Sequence, residues 1–203
     1  MLIYHSFDEI FRSWSHVAVL RALLDSTSGC TGNEVARISG MQPRSALKAL
    51  TALETMCIVR RQRGGRDHLF TLNRDHVLVR EVILPMLERE RDLFSIITKE
   101  LAANLKRSAM SAVVFGSVAR REEIPTSDFD ICCLIETEKQ KDSLREKLLT
   151  LIPQFHNRFG IKISPLLFTI EELKKKKNNP LIKEIMDHGI RIHGKKMQEL
   201  IHD

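Results

Sequence analysis

Residues 113–135 read VVFGSVARREEIPTSDFDICCLI. An apolar run ends abruptly at Gly116-Ser117, a polar stretch follows, and Asp128 and Asp130 open a second apolar run. Because alternate residues of a strand share a face, the two aspartates are expected to project to the same side. The pattern predicts a strand, a turn, a helix, a loop and a second strand.

The two aspartates and the Gly-Ser turn favour a site for a metal and a nucleotide triphosphate. The α-carbons of Asp128 and Asp130 would lie about 7 Å apart, a spacing from which two carboxylates reach one hard cation whose shell a phosphate completes. Gly116 lets the backbone approach a ligand closely, and a helix that begins near Ser117 points N–H groups at an anion. Each feature alone has an ordinary explanation, a turn or a solvated strand end; together they indicate nucleotide chemistry.

This segment resembles the DNA polymerase beta-like nucleotidyltransferase superfamily, particularly its minimal nucleotidyltransferase branch. The signature of apolar residues, Gly-Ser, a short Arg-containing stretch and Ser-Asp-x-Asp is found at 115–120 and 127–131. A weaker match lies in a helix at 182–186 followed by a strand at 188–192. The resemblance extends over about residues 108–194.

The resemblance assigns a role to each motif residue. It implies that the Gly-Ser turn holds phosphates and that the aspartate pair binds Mg²⁺ or Mn²⁺, while a guanidinium neutralises phosphate charge. The predicted nucleotide-binding residues are Gly116, Ser117, Arg120, Arg121 and Ser127, and the predicted metal-binding and catalytic residues are Asp128 and Asp130.

One departure from the family concerns its third carboxylate, which lies on a later strand and ligates the catalytic metal. The matching strand is 161–168, and its polar positions hold Lys162 and Ser164. In two-metal transfer the carboxylates fix both ions, so the loss of one should weaken the ion on the nucleophile side more. The substitutes considered are Glu136, Glu171 and Glu172. Nucleotide binding is therefore better supported than turnover.

Composition sets broader limits. The chain has 203 residues, 43% of them hydrophobic, enough for one large or two small domains. No apolar stretch reaches the ~18–20 residues of a membrane span, and the N-terminus lacks a signal-peptide pattern. The four cysteines lack metal-binding spacing, and Cys132 and Cys133 are expected to be buried thiols. These features predict a cytoplasmic protein. The net charge of +6 permits polyanion binding without requiring it.

Residues 14–72 are predicted to form a helix-turn-helix with a wing. Thr31 and Glu34 have the capping-box spacing, and Pro43 suits the first turn of a helix. The predicted helices are 16–24, 32–38 and 43–55, and Leu47, Leu50 and Leu53 of the last one are predicted to face inward. In a helix-turn-helix the second of the two close helices enters the major groove.

A hairpin is predicted to follow, with two β-prone runs at 57–63 and 66–72 around Gly64-Gly65. This half resembles the winged-helix domains of prokaryotic transcriptional regulators, which implies double-stranded DNA as a partner. The alternatives are a dimerisation or protein-docking module with a solvated basic edge. The predicted DNA-contacting residues are Gln42, Arg44, Ser45, Lys48, Arg60, Arg61, Arg63 and Arg66.

Residues 76–107 are predicted to be a connector that is largely helical after Pro85. Leu87, Phe94 and Leu101 recur every seven residues. This stripe predicts either a contact with a second copy in a homodimer or a cover for the sheet of the C-terminal domain.

The fold predicted is therefore α+β, with an N-terminal winged helix-turn-helix (1–75), a helical connector (76–107) and a nucleotidyltransferase-fold mixed sheet with flanking helices (108–203). The first functional hypothesis is a Mg²⁺-dependent transfer of a nucleoside monophosphate from an NTP to a hydroxyl. The second is a DNA-binding regulator whose inactive nucleotidyltransferase-like domain senses nucleotide. The resemblance also implies a toxin–antitoxin type partner protein.

Overall fold

The computed structural model describes residues 3–202, with side chains to residue 200, and the chain divides into two compact units between Leu93 and Phe94. The division lies inside 76–107, the segment predicted as the connector. None of the helices in the described range is long and apolar enough to cross a membrane.

The first unit combines helices with a small antiparallel sheet of order β1-β3-β2. Its fully buried side chains include Leu20, Leu23, Leu50 and Leu53. Its elements are α1 (Ser6–Ile10), α2 (Trp14–Leu23), β1 (Cys30–Thr31), α3 (Gly32–Ile38), α4 (Pro43–Thr55), β2 (Val59–Gly64), β3 (Asp67–Leu72), a π-helical turn (Val79–Ile83) and the first part of α5 (Leu84–Leu105).

Local sequence signals set the start of α3 and of α4. The Thr31 N–H donates to the Glu34 carboxylate over 2.7 Å, and the Glu34 N–H donates to the Thr31 hydroxyl over 3.2 Å. Pro43 occupies the first turn of α4. The inward orientation predicted for Leu47 is wrong, because the buried face of α4 runs through Ala46, Ala49, Leu50 and Leu53 and leaves Leu47 49% exposed.

The second unit is built on a four-stranded sheet of order β6-β5-β4-β7, in which β5 and β6 are parallel and the other pairs are antiparallel. Its elements are the rest of α5, β4 (Ser111–Val114), α6 (Gly116–Arg120), β5 (Phe129–Ile135), α7 (Glu138–Phe159), β6 (Ile163–Thr169), α8 (Ile170–Lys175), α9 (Pro180–His188), β7 (Ile190–Gly194) and α10 (Met197–His202).

Both faces of this sheet are covered, which explains why β5 is apolar at almost every position. Ile131 and Cys133 pack with residues of α5 and α7, whereas Cys132 and Leu134 pack with residues of α8, α9 and α10. Burial raises the pKa of both thiols, that of Cys133 to about 12, so both remain protonated at neutral pH. All four cysteines are free.

The π-helical turn runs directly into α5, so the helical segment starts earlier than predicted, and Pro85 lies where the π-helical turn gives way to the α-helix. The predicted stripe is buried within the chain. Leu87 belongs to the core of the first unit, while Ile97, Leu101 and Leu105 belong to the core of the second. The C-terminal part of the stripe thus covers the sheet, with Phe94 partly buried against the same core, and the contact with a second copy stays a prediction.

Candidate active site

The turn after β4 is packed against the aspartate that opens β5. The Phe115 N–H donates to the Asp130 carbonyl over 3.1 Å, which joins the two segments. Gly116 has φ +72°, and a Cβ at this position would lie 2.4 Å from Asp130 Oδ2. Only glycine therefore fits here, and the Gly-Ser backbone directly adjoins the carboxylate.

Asp128 and Asp130 share one side of the strand, opposite to Phe129 and Ile131, which are buried in the core with α5 and α7. Burial raises the pKa of Asp130, and the charge of Asp128 raises it further; a hydrogen bond from Ser164 opposes the shift. Two carboxylates in a partly desolvated position repel each other, and a cation between them would relieve that repulsion.

The neighbouring strand β6 places a hydroxyl and an ammonium beside the aspartates. Ser164 pairs in register with Asp130, and Ile163 pairs with Phe129. One residue earlier, Lys162 Nζ lies 3.2 Å from Asp128 Oδ1. The positions where the family has its third carboxylate thus carry Lys162 and Ser164.

The acidic residues proposed as substitutes do not reach this site, so that interpretation is wrong. Glu136 follows the C-terminal end of β5, and Glu171 and Glu172 lie in the first turn of α8, after the C-terminal end of β6. At about 3.3 Å per residue, Glu136 lies roughly 20 Å along the strand from Asp130. Glu172 instead binds the buried Lys141 ammonium, with an N–O distance of 2.6 Å.

Arg120 lies near the aspartates but is already paired. Its Nε donates to Glu122 over 2.9 Å, and its guanidinium also contacts Glu184 on α9. The hydrogen bond that Arg120 donates to Glu122 is the main reason that the pKa of Arg120 is raised. Glu184 was not predicted, because an acidic side chain on a helix is ordinarily a solvated one. The cleft at this point is lined by Phe115, Gly116, Ala119, Arg120, Glu184 and His188.

The other predicted nucleotide-binding residues shape the loops around the cleft. Ser117 is half-buried in α6, and its carbonyl accepts the Glu122 N–H over 2.9 Å. Arg121 is exposed and ends α6 with φ +58°. The Ser127 hydroxyl accepts the Ile124 N–H over 3.0 Å, which closes the turn before Asp128.

The carboxylates of this site suit a cation whose remaining ligands come from a bound molecule. Among the side chains that the structure describes, no three His, Cys, Asp or Glu residues converge on a possible metal position. Two carboxylates match the oxygen preference of Mg²⁺, which usually retains waters and takes phosphate oxygens as further ligands. Asp128 and Asp130 therefore fit a cation that arrives with a nucleotide.

Comparison with known proteins agrees with this geometry. Residues 94–192 match the family described as the nucleotidyltransferase domain. By this match, the region is similar to nucleotidyltransferase domains. The match begins at the first residue of the second unit and includes the Gly-Ser turn and both aspartates.

One relative comes from Methanocaldococcus jannaschii and is named "Putative protein adenylyltransferase MJ1305"; it is 35% identical over 74 residues, which are 36% of this chain and 50% of the relative. The chain thus spans about half the length of that relative. No solved structure matches the chain significantly.

In the first unit, the residues predicted to contact DNA lie on α4 and on the β2–β3 hairpin. Gln42 precedes α4, and it is exposed together with Arg44, Ser45 and Lys48. The hairpin arginines differ in their surroundings. Arg60 pairs with Asp75 and Arg61 pairs with Glu54, at 2.9 and 3.0 Å, whereas Arg63 and Arg66 are exposed near the tip.

Proposed function

We propose that the nucleotidyltransferase domain binds ATP with Mg²⁺ and transfers the adenylyl group to a hydroxyl of a protein. The domain family supports nucleotidyl transfer in general. The name of the archaeal relative supports adenylyl as the group and protein as the acceptor.

In the reaction, the acceptor oxygen forms a bond to the α-phosphorus of ATP. The bond from that phosphorus to the bridging oxygen breaks, pyrophosphate leaves with the electron pair, and the hydroxyl proton passes to solvent. When bound, the divalent ion supplies positive charge to the phosphate oxygens.

The residues of this chain have separate roles in the proposal. Asp128 and Asp130 hold the ion, and the Gly116-Ser117 backbone donates to phosphate oxygens beside it. Arg120 can exchange its carboxylate partners for a phosphate, because a guanidinium binds either group in the same bidentate manner. The observation that supports the proposal is the packing of Gly116 against Asp130, because the turn proposed to bind phosphate adjoins the carboxylate proposed to bind the metal.

The test is transfer of label from ATP carrying ³²P at the α-position, in the presence of Mg²⁺ or Mn²⁺ and a cell extract. We expect a labelled protein band with the wild-type chain and none with Asp128→Asn combined with Asp130→Asn. The control variant is Asp142→Asn with Glu171→Gln, which removes equal charge from exposed positions outside the cleft. Equal labelling by both variants would contradict the assignment.

A second candidate function is regulation without catalysis. The ion pair between Lys162 and Asp128, in place of a third carboxylate, favours a domain that binds a nucleotide and senses it. Calorimetry separates the candidates: manganese-dependent ATP binding without label transfer to any extract would support the sensor. Absence of manganese-dependent uptake of ATP, GTP, CTP and UTP would contradict both.

We also propose that the first unit binds double-stranded DNA through α4 and the hairpin. The support is that α4 exposes Arg44 and Lys48 in the same unit whose hairpin tip exposes Arg63 and Arg66. Homodimer formation and a toxin–antitoxin type partner stay predictions.

For the DNA proposal, we expect Arg63→Ala with Arg66→Ala to weaken duplex binding for all sequences and to reduce the slope of log K against log[salt] by about 1.8, since each phosphate contact contributes about 0.9. The control is Arg80→Ala with Arg89→Ala, which removes the same charge from exposed positions outside the hairpin and α4. An unchanged slope, or the same change in the control, would contradict the assignment.

A further inference from the structure

The site has a lysine ammonium where a two-ion site would need another carboxylate. Lys162 Nζ lies 3.2 Å from Asp128 Oδ1 and 3.4 Å from Asp128 Oδ2, so the ammonium faces both oxygens of one predicted metal ligand. The strand register that pairs Asp130 with Ser164 holds Lys162 next to Asp128. The lysine is therefore part of the site through the β5–β6 pairing.

Among the described residues, neither of the nearby acidic side chains joins Asp128 and Asp130 in a group of three that could hold an ion. Glu184 contacts Arg120, and Glu122 does so as well. A second divalent ion on the Asp128 side would also lie close to an ammonium, which repels it. The described side chains thus provide two carboxylates and one ammonium on this side of the cleft.

We propose that the site takes a single divalent ion with the nucleotide, and that the Lys162 ammonium supplies, on the acceptor side, the positive charge that a second ion supplies in two-ion enzymes. This inference rests on the proposed nucleotidyl transfer. Lys162 exchanges its contact with Asp128 for a contact with an α-phosphate oxygen when the nucleotide binds. Its side chain is 74% exposed on a flexible four-carbon stem, so this movement meets no packing.

The first test counts ions by electron paramagnetic resonance of Mn²⁺, with the full chain and an ATP analogue carrying a methylene group between the α- and β-phosphates. We expect a single bound ion per chain in the wild type. Lys162→Glu restores a third carboxylate and is expected to bind a second ion. The control is Lys174→Glu, which makes the same charge change on α8, beyond the opposite end of β6, and is expected to keep a single ion.

The second test separates the lysine's two contacts. Lys162→Met releases Asp128 from its ion pair, so Mn²⁺ binding without nucleotide is expected to tighten about two- to five-fold. Label transfer by the same variant is expected to fall about 100-fold, because an electrostatic contact to the reacting phosphate is lost. Lys162→Arg keeps the charge and is expected to recover part of the transfer. If the lysine had only a structural role, its replacement would not both tighten Mn²⁺ binding and lower label transfer.

The outcomes distinguish this inference from the proposed function. Two ions in the wild-type chain, or a single ion in Lys162→Glu, would overturn the role of Lys162 while leaving nucleotidyl transfer intact. Transfer by Lys162→Met at the wild-type rate would also overturn it. Failure of the wild-type chain to bind the nucleotide analogue at all would contradict the proposed function itself.

Discussion

The two ends of the β5–β6 strand pair place their acidic residues in opposite environments. At the start of β5, Asp130 is partly buried beside Asp128, and its pKa is raised mainly by burial. Beyond the end of β6, Glu172 accepts hydrogen bonds from the Lys141 ammonium and from the Thr169 N–H. The Lys141 hydrogen bond is the main reason that the pKa of Glu172 is lowered.

This difference separates a carboxylate that stabilises the fold from one that we propose binds a ligand. The Glu172 carboxylate is stabilised in the folded chain, because Lys141 is buried and needs a partner. The Asp130 carboxylate is destabilised by folding, because the hydrogen bond from Ser164 offsets the effect of burial only in part, and a bound cation would offset more of it. Carboxylates whose pKa is raised by folding concentrate at functional sites. We therefore expect a ligand at the start of β5.

The largest effect is expected from Gly116→Ala. The added Cβ would lie 2.4 Å from Asp130 Oδ2 and would displace the carboxylate or the turn. Misplacement of about 1 Å at a reacting centre costs about 100-fold, so label transfer should fall by that factor. The control is Gly160→Ala, which has φ +69° at the end of α7 and open space around the new Cβ. Both variants should lose about 1–2 kcal/mol of unfolding free energy from backbone strain, but only Gly116→Ala should lose transfer.

At the opposite end, Glu172→Gln is expected to lower the free energy of unfolding by about 1–3 kcal/mol, because the buried Lys141 ammonium loses the closer of its two carboxylate partners and keeps Glu138, at 3.5 Å. Nucleotide binding should not change. Since folding lowers the pKa of Glu172, this stabilisation is present above the unfolded-state pKa and is lost as the pH falls through the folded-state pKa.

Chemical denaturation of the wild-type chain and Glu172→Gln across acid and neutral pH measures this effect. The difference between them should be largest at neutral pH and should disappear in acid. Glu171→Gln, which alters the exposed neighbour on α8, is the control. A similar loss in that control, or a difference that grows in acid, would contradict the role given to the Lys141 pair.

The smallest effect is expected from Asp130→Asn, which should stabilise the fold, whereas Glu172→Gln should destabilise it. Folding raises the pKa of Asp130, so the ionised carboxylate costs stability at neutral pH, and the amide should increase the free energy of unfolding by about 0.5 kcal/mol. The gain should shrink as the pH falls through the folded-state pKa, where the wild-type side chain becomes protonated. This gain can be measured by thermal denaturation across this pH range. Asp142→Asn is the control for the lost negative charge. If Asp130→Asn were less stable than the wild-type chain at neutral pH, the contrast drawn between the two ends of the β5–β6 strand pair would be contradicted.

Features that depend on neighbours in the chain were predictable. The capping box at Thr31, the start of α4 at Pro43 and the common side of Asp128 and Asp130 all follow from spacings of two to three residues. Packing between elements was harder to predict from the sequence. The exposure of Leu47 depends on which face of α4 its neighbours cover, and the helical turn before Pro85 depends on its contacts with the first core.

The sequence alone determined the local arrangement of the predicted site in the second unit, because a Gly-Ser turn and alternating aspartates carry their geometry in the backbone. Tertiary structure decided which charges surround them. Lys162 reaches Asp128 through the parallel register of β5 with β6, and Glu184 reaches Arg120 from a helix far along the chain. Glu136, Glu171 and Glu172 were excluded because they lie beyond the other end of those strands. Electrostatic interactions act through space over a few ångströms, so strand order and register decide them.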